Sequence, residues 1–168
     1  MRRLLLLLCV AATPALAEGS VAFFGLYMKD TSRQTTLGSS LQAHTISDAE
    51  QARKSHLETM VAERFRNEGF TLLDLAPVAS ELERTTNPAQ CYGCDVRMAK
   101  TLGADFILVG EIYKVSDALL AINLQLRHGA SGDIVKGASV DIRGNTDDTW
   151  RRGMRYILNN RFFREAKK

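Results

Sequence analysis

From residue 105 to residue 143 the sequence is built on a period of two. Leu120, Ile122, Leu124 and Leu126 are spaced one residue apart, which puts all four on one side of an extended chain. The flanking stretches DFILVGEIYKVS (105–116) and DIVKGASVDIR (133–143) have the same strand composition. Ser116-Asp117 and GASG at 129–132 supply turn residues between them. Connections that short join antiparallel neighbours, so a three-stranded meander is predicted.

The first half has to supply what covers that meander. SVAFFGLY (20–27) reads as a buried strand. Ser47-Asp48-Ala49-Glu50 is a capping box, and Leu57, Met60, Val61 and Phe65 follow at helical spacing until Gly69 stops the helix. FTLLDL (70–75) is a second strand, and Pro77 opens one or two helical turns to residue 84. A loop over 85–93 leads to a short helix over 95–102, closed by Gly103. At the end, Trp150, Met154, Ile157, Leu158 and Phe162 form one stripe on a basic helix over 147–164, capped by Asn145 or Thr146. Residues 28–46 show no period and read as a long loop. The order β-α-β-α-β-β-β-α predicts an α/β sandwich: a single mixed sheet of about five strands with helices packed on it. The first two strands flank a helix and should be parallel.

The N-terminus is not part of that fold. Met1-Arg2-Arg3, the apolar run 4–12 and the Ala15-Leu16-Ala17 site read as a cleavable signal peptide over residues 1–17. The apolar run is shorter than the roughly 20 residues of a transmembrane helix, so no membrane anchor is expected. Leucines rather than a small residue precede Cys9, which argues against lipidation. Cleavage leaves one domain, residues 18–168, in the periplasm. Loss of Arg2 and Arg3 takes the formal charge from +3 to +1, which leaves little case for nucleic acid as a partner. Cys91 and Cys94 become the only thiols.

Cys91-Tyr92-Gly93-Cys94 is the one chemical motif that stands out. In an oxidising compartment the pair should close as a local disulfide. The other reading is a thiol–disulfide exchange site, since a helix N-terminus lowers the pKa of a nearby thiol. Against it, a loop rather than a buried strand precedes the motif, no tryptophan stands just before Cys91, and every proline lies N-terminal to it or inside the leader. Haem attachment would need histidine where Asp95 stands, and zinc would need two further ligands. His44, His56 and His128 are scattered. There is no G-x-S-x-G, H-E-x-x-H, P-loop or G-x-G-x-x-G pattern. No catalytic residue, metal or cofactor is therefore expected. RGNTDDTW (143–150) is dense in polar residues, which suit both a ligand loop and a helix cap with two dipole-matched acids.

AKTLGADFILVGEIYKV (99–115) resembles periplasmic domains of the TolB N-terminal type, a plan shared by the curli secretion lipoprotein CsgG and the penicillin-binding-protein activator LpoB. VAFFGLYMKD (21–30), the Cys91–Cys94 motif, the LGAD-to-KVS stretch and DIRGNTDDTW (141–150) are similar to a family of bacterial extracytoplasmic proteins of unknown function. That resemblance carries an association with periplasmic quinoprotein alcohol-oxidation systems. The missing catalytic constellation and the resemblance to envelope adaptor domains point to a non-enzymatic accessory protein that binds an envelope or periplasmic partner. The contact surfaces would be the long loop, the disulfide loop and the basic last helix, with Lys29, Asp30, Arg143, Asn145, Asp147 and Trp150 as candidate contacts. The alternatives are a redox protein using Cys91 and a small-molecule binder with its site between the long loop and the sheet.

Overall fold

A computed structural model describes residues 19–32 and 46–164. The expected signal peptide, His44, and the part of the expected long loop over 33–45 lie outside them, and so does the loop side of the small-molecule site.

The predicted sheet is present: five strands in the order β2-β1-β3-β4-β5. They are β1 (Ser20–Asp30), β2 (Thr71–Leu72), β3 (Phe106–Ser116), β4 (Leu119–His128) and β5 (Ile134–Arg143). β1 runs parallel to both β2 and β3, and β3, β4 and β5 form the antiparallel meander. Four helices pack on the sheet: α1 (Asp48–Asn67), α2 (Ala79–Arg84), α3 (Cys94–Leu102) and α4 (Asp147–Ile157).

The period-two argument explains the sheet's two faces. Leu120, Ile122, Leu124 and Leu126 join Leu108, Ile112 and Ile142 on the face covered by α1 and α4, where Leu57, Val61, Phe65, Trp150, Met154 and Ile157 meet them. Each such side chain contributes about 1.5–3 kcal/mol on burial. Gly153 lets α4 sit close: a Cβ there would lie 2.6 Å from Ile142 Cγ2 and 3.3 Å from Ile122 Cδ1. The opposite face, with Ala22, Phe24, Ile107 and Val109, is covered by Met98 and Ala99 of α3 and by Val78.

Three boundaries differ from the sequence reading. β1 continues through Met28, Lys29 and Asp30, the expected start of the loop, because β3 is there to pair with them through Ile112, Tyr113 and Lys114. The expected strand at 70–75 shrinks to two residues: Asp74 accepts from the Ala76 amide, and a 3₁₀ turn over Ala76–Val78 takes the chain out of the sheet. The last helix ends at Ile157 and continues as a π-helical turn, Leu158–Phe162. That turn brings Phe163 against Phe65, with ring centroids 4.9 Å apart.

Candidate functional site

Two polar constructions are built at different places on this frame. The first joins the start of α1 to the end of β3 and the start of α4. Ser47 caps α1, its hydroxyl accepting from the Glu50 amide, and Glu50 reaches back as the capping box requires. Glu50 is only 5 % exposed. Its Oε2 accepts from the Ser47 amide and hydroxyl at 3.1 and 2.8 Å, and its Oε1 from Lys114 Nζ at 2.8 Å and Asn145 Nδ2 at 2.7 Å. Burial by itself would raise its pKa, but the bonds from Lys114, Ser47 and Asn145 outweigh it and hold the carboxyl at about 2. Lys114 is half-buried, a pressure that would lower its pKa. Its bonds to Asp117 and Glu50 win, and it stays above the ordinary lysine value.

Asn145 extends the network. Its Oδ1 accepts from the Trp150 indole N–H at 2.9 Å and from Arg53 at 3.2 Å, and Arg53 Nε meets Asp147 at 2.7 Å. The bond from Arg53 is the main reason the exposed Asp147 carboxyl lies below its usual value. Thr146, not Asn145, caps α4. Of the candidate contact residues, Asp30, Asn145, Asp147 and Trp150 thus converge on one cluster, Asp30 lying 3.7 Å from Lys114. Trp150 is wholly buried in it. Lys29 and Arg143 are exposed outside it. With each Glu50 oxygen taken by two donors, the cluster works as a clasp between elements.

The second construction is the Cys91–Cys94 tip. Asn87 caps a 3₁₀ turn over Pro88–Gln90, its side chain accepting from the Ala89 amide. From the second face of β3, Glu111 accepts from Asn87 at 2.7 Å and from Gln90 at 2.6 Å, and Gln90 also donates to the Tyr113 hydroxyl at 2.6 Å. Burial first, then the hydrogen bond and charge of Glu111, raise the Tyr113 pKa. Cys91 and Cys94 are joined by a disulfide, with Cα atoms 5.5 Å apart. Below it Asp95, buried, pairs with Arg127 at 2.7 Å, and the same guanidinium donates to the Ala89 carbonyl at 3.0 Å. Between the cysteines Tyr92 stands at φ 54° and Gly93 at φ 97°. The Tyr92 side chain is fully exposed, at 103 % of its reference surface. Beside it Ala89, Gln90, Gly93, Asp95 and Arg127 line a shallow hollow of about 400 Å³.

The sequence reading missed Glu50 in its second role, and Lys114, Glu111 and Arg127 altogether. Strand parity carried a signal for one of them. Lys114 falls in step with Leu108 and Ile112, so it points into the covered face and needs a buried acid. His56 is exposed, and His128 stacks on Phe106 with centroids 5.8 Å apart. Among the described residues no group of three or more His, Cys, Asp or Glu is placed to hold a metal, and no helix is long and apolar enough to cross a membrane.

The model of the DUF3280 family, described as "Protein of unknown function (DUF2380)", matches residues 19–162. The chain belongs to that family. No curated protein matches it. Among solved structures, this member of the family is similar to the LpoB C-terminal domain from Salmonella enterica, at 15 % identity and a TM-score of 0.48, with 76 % of this chain and 84 % of that one covered. Lipoprotein GNA1162 from Neisseria meningitidis is similar at 12 % identity and a TM-score of 0.49, covering 76 % and 82 %. The PelC dodecamer from Paraburkholderia phytofirmans follows at 14 % identity and a TM-score of 0.46, covering 86 % and 90 %. Likenesses this distant carry no argument about what the chain does.

Proposed function

We propose that this is a non-enzymatic accessory protein of the periplasm that binds an envelope or periplasmic protein through the Cys91–Cys94 tip. The observation behind the reading is Tyr92. Its ring is fully exposed and its backbone sits at φ 54°, where a non-glycine residue loses roughly 1–2 kcal/mol. The left-handed backbone costs the isolated fold something, and the exposed ring gains nothing from folding. The disulfide closes the backbone on both sides of Tyr92, so the main chain there gives up little freedom on binding, and tyrosine is enriched among residues that dominate interfaces. Gln90, Asp95 and Arg127 around the hollow supply polar partners beside that aromatic anchor. The signal-like leader supports the periplasmic setting. The sequence resemblance makes a quinoprotein alcohol-oxidation system the place to look for the partner.

Replacing Tyr92 by a photoreactive phenylalanine analogue in the native host tests this. One discrete cross-linked protein is expected from position 92 and none from Glu83, exposed on α2. No adduct at 92, or the same adducts from both positions, refutes the reading.

One observation favours thiol–disulfide exchange as a second reading. The disulfide sits at the N-terminus of α3, where the N-cap residue Gly93 has no side chain to cap the helix. A reduction potential below about −300 mV fits a staple, and one between about −200 and −120 mV fits an exchange site.

A further inference from the structure

The sheet has two outer edges, and they differ. β2 gives one of them only two residues, and so short a strand leaves little to pair with. β5 gives the other ten residues, Ile134–Arg143, and no segment among the described residues pairs with its outer side. The Gly144 amide donates to the Ala118 carbonyl at 3.0 Å, which sets the phase of the β4–β5 ladder. Counted from that bond, Ile142, Val140 and Ala138 bond inward to β4. The amides and carbonyls of Gly137, Ser139, Asp141 and Arg143 therefore point outward. All four of these residues are exposed.

Most of the devices that blunt a free edge are absent from β5. It has no proline, and its one register shift lies at its start, opposite Leu126 and Arg127. Lys136, the lysine that could guard it, donates instead to the Phe162 carbonyl at 2.6 Å. Ile134 and Val135 are 61 % and 45 % exposed. Nor does α4 overhang the strand. Gly153 rests against Ile122 of β4 as well as Val140 and Ile142 of β5, which sets the helix back between the two strands. Arg151 and Arg155 lie on the α1 side of α4, so the exposed Tyr156 falls on the opposite flank, beside the β5 edge.

We infer that two copies of this chain join through β5, antiparallel across a two-fold axis, and double the five-stranded sheet. An axis through Ser139 overlaps the two strands over nearly their whole length. It sets Ser139 against Ser139 of the second copy and Gly137 against the second copy's Asp141, and the outward groups exchange about six backbone hydrogen bonds. The charges favour a second copy over an unrelated strand. In that register Arg143 lies diagonal to the second copy's Asp133, within reach of a long side chain, and no like charges face each other. Both are available: the Asp133 carboxylate takes only the Ser131 hydroxyl at 2.7 Å among the described residues, and Arg143 makes no ion pair among them. The helices also fit. With each α4 set back by half a strand spacing, the two would lie about 10 Å apart, the ordinary packing distance.

Sedimentation equilibrium of the full mature chain, up to about 200 µM, tests this, and a monomer–dimer equilibrium is expected. Ser139→Lys sets two lysines face to face at the axis and should raise the dissociation constant at least tenfold. Its melting temperature should match the wild type at a concentration where both are monomeric, since the side chain is exposed. Arg143→Asp should weaken the dimer, and adding Asp133→Arg should restore it. Ser139→Cys should give a covalent dimer in air, because hydrogen-bonded strand pairs hold their Cα atoms about 5.5 Å apart. Glu83→Cys should not. Tyr92→Asn should dimerise like the wild type, which separates this interface from the tip. A chain that stays monomeric at the highest concentration, or a dimer indifferent to Ser139→Lys, overturns the proposal. So does cross-linking of the Ser139→Cys chain in its native host to a different protein rather than to itself.

Discussion

On one face of the sheet lie a 20-residue helix and an 11-residue helix, a fully buried tryptophan and a clasp in which Glu50 satisfies four donors. On the other, the longest helix has 9 residues, and the cover is completed by a 3₁₀ turn, a buried Asp95–Arg127 pair and a disulfide. The first face closes on itself through apolar contact. The second is stitched piece by piece and ends on an aromatic ring turned to solvent. Stability is thus concentrated where α1 and α4 pack, and the tip is free to carry residues chosen for contact rather than for folding.

That contrast is open to direct attack. Trp150→Ala should have the largest effect, about 3–5 kcal/mol, because it empties a fully buried site and leaves Asn145 short of a donor. In a thermal melt this appears as a fall of roughly 6–20 °C. A loss under about 1 kcal/mol would break the comparison.

Next comes the clasp. The folded pKa of Glu50, about 2, lies below its ordinary value of 4.5, so its contribution is fully present above about pH 4.5 and is lost as the pH falls towards 2. The shift corresponds to up to about 3 kcal/mol. Denaturant midpoints between pH 6 and pH 2.5 should fall for the wild type, and Glu50→Gln should flatten that slope. An unchanged slope would mean that the carboxylate is not what ties α1 to β3.

On the second face, replacing both Cys91 and Cys94 with serine should cost about 2 kcal/mol, the loop-closure value for so short a ring. The smallest effect belongs to Tyr92→Asn. Asparagine tolerates left-handed backbone, and the ring makes no buried contact, so stability should change by less than about 0.5 kcal/mol while cross-linking from the tip is lost. A Tyr92 variant that unfolds the protein would place the tip within the structural core and remove its claim to be a recognition element.

How much of this was legible follows from the range of each signal. The meander, the parallel opening pair and the Ser47–Glu50 box rest on spacing within about ten residues, and the structure keeps all of them. The disulfide was read from four adjacent residues and the compartment. Lost were the features set by distant partners. Met28, Lys29 and Asp30 became strand because β3, some eighty residues later, offered them a ladder. Residues 74 and 75 left the sheet, after Leu73 donates to Val21 of β1, because local turn bonds at Asp74 outcompeted pairing. Asp30, Asn145, Asp147 and Trp150 read as contacts and Glu50 only as a cap, yet Glu50 bonds Asn145 directly and meets Asp30 through their shared partner Lys114. A carboxylate's second partner, 64 residues away in β3, leaves no mark in its own neighbourhood.

The division between a self-sufficient face and a stapled, outward-looking one is tested most directly by hydrogen exchange on the oxidised and reduced protein. The prediction is that reduction speeds exchange over residues 88–98 and leaves the amides of α1, α4, β3 and β4 as protected as before. Loss of protection spreading into α1 and α4 would show that the disulfide holds up the whole fold, and would contradict the assignment of the tip to contact.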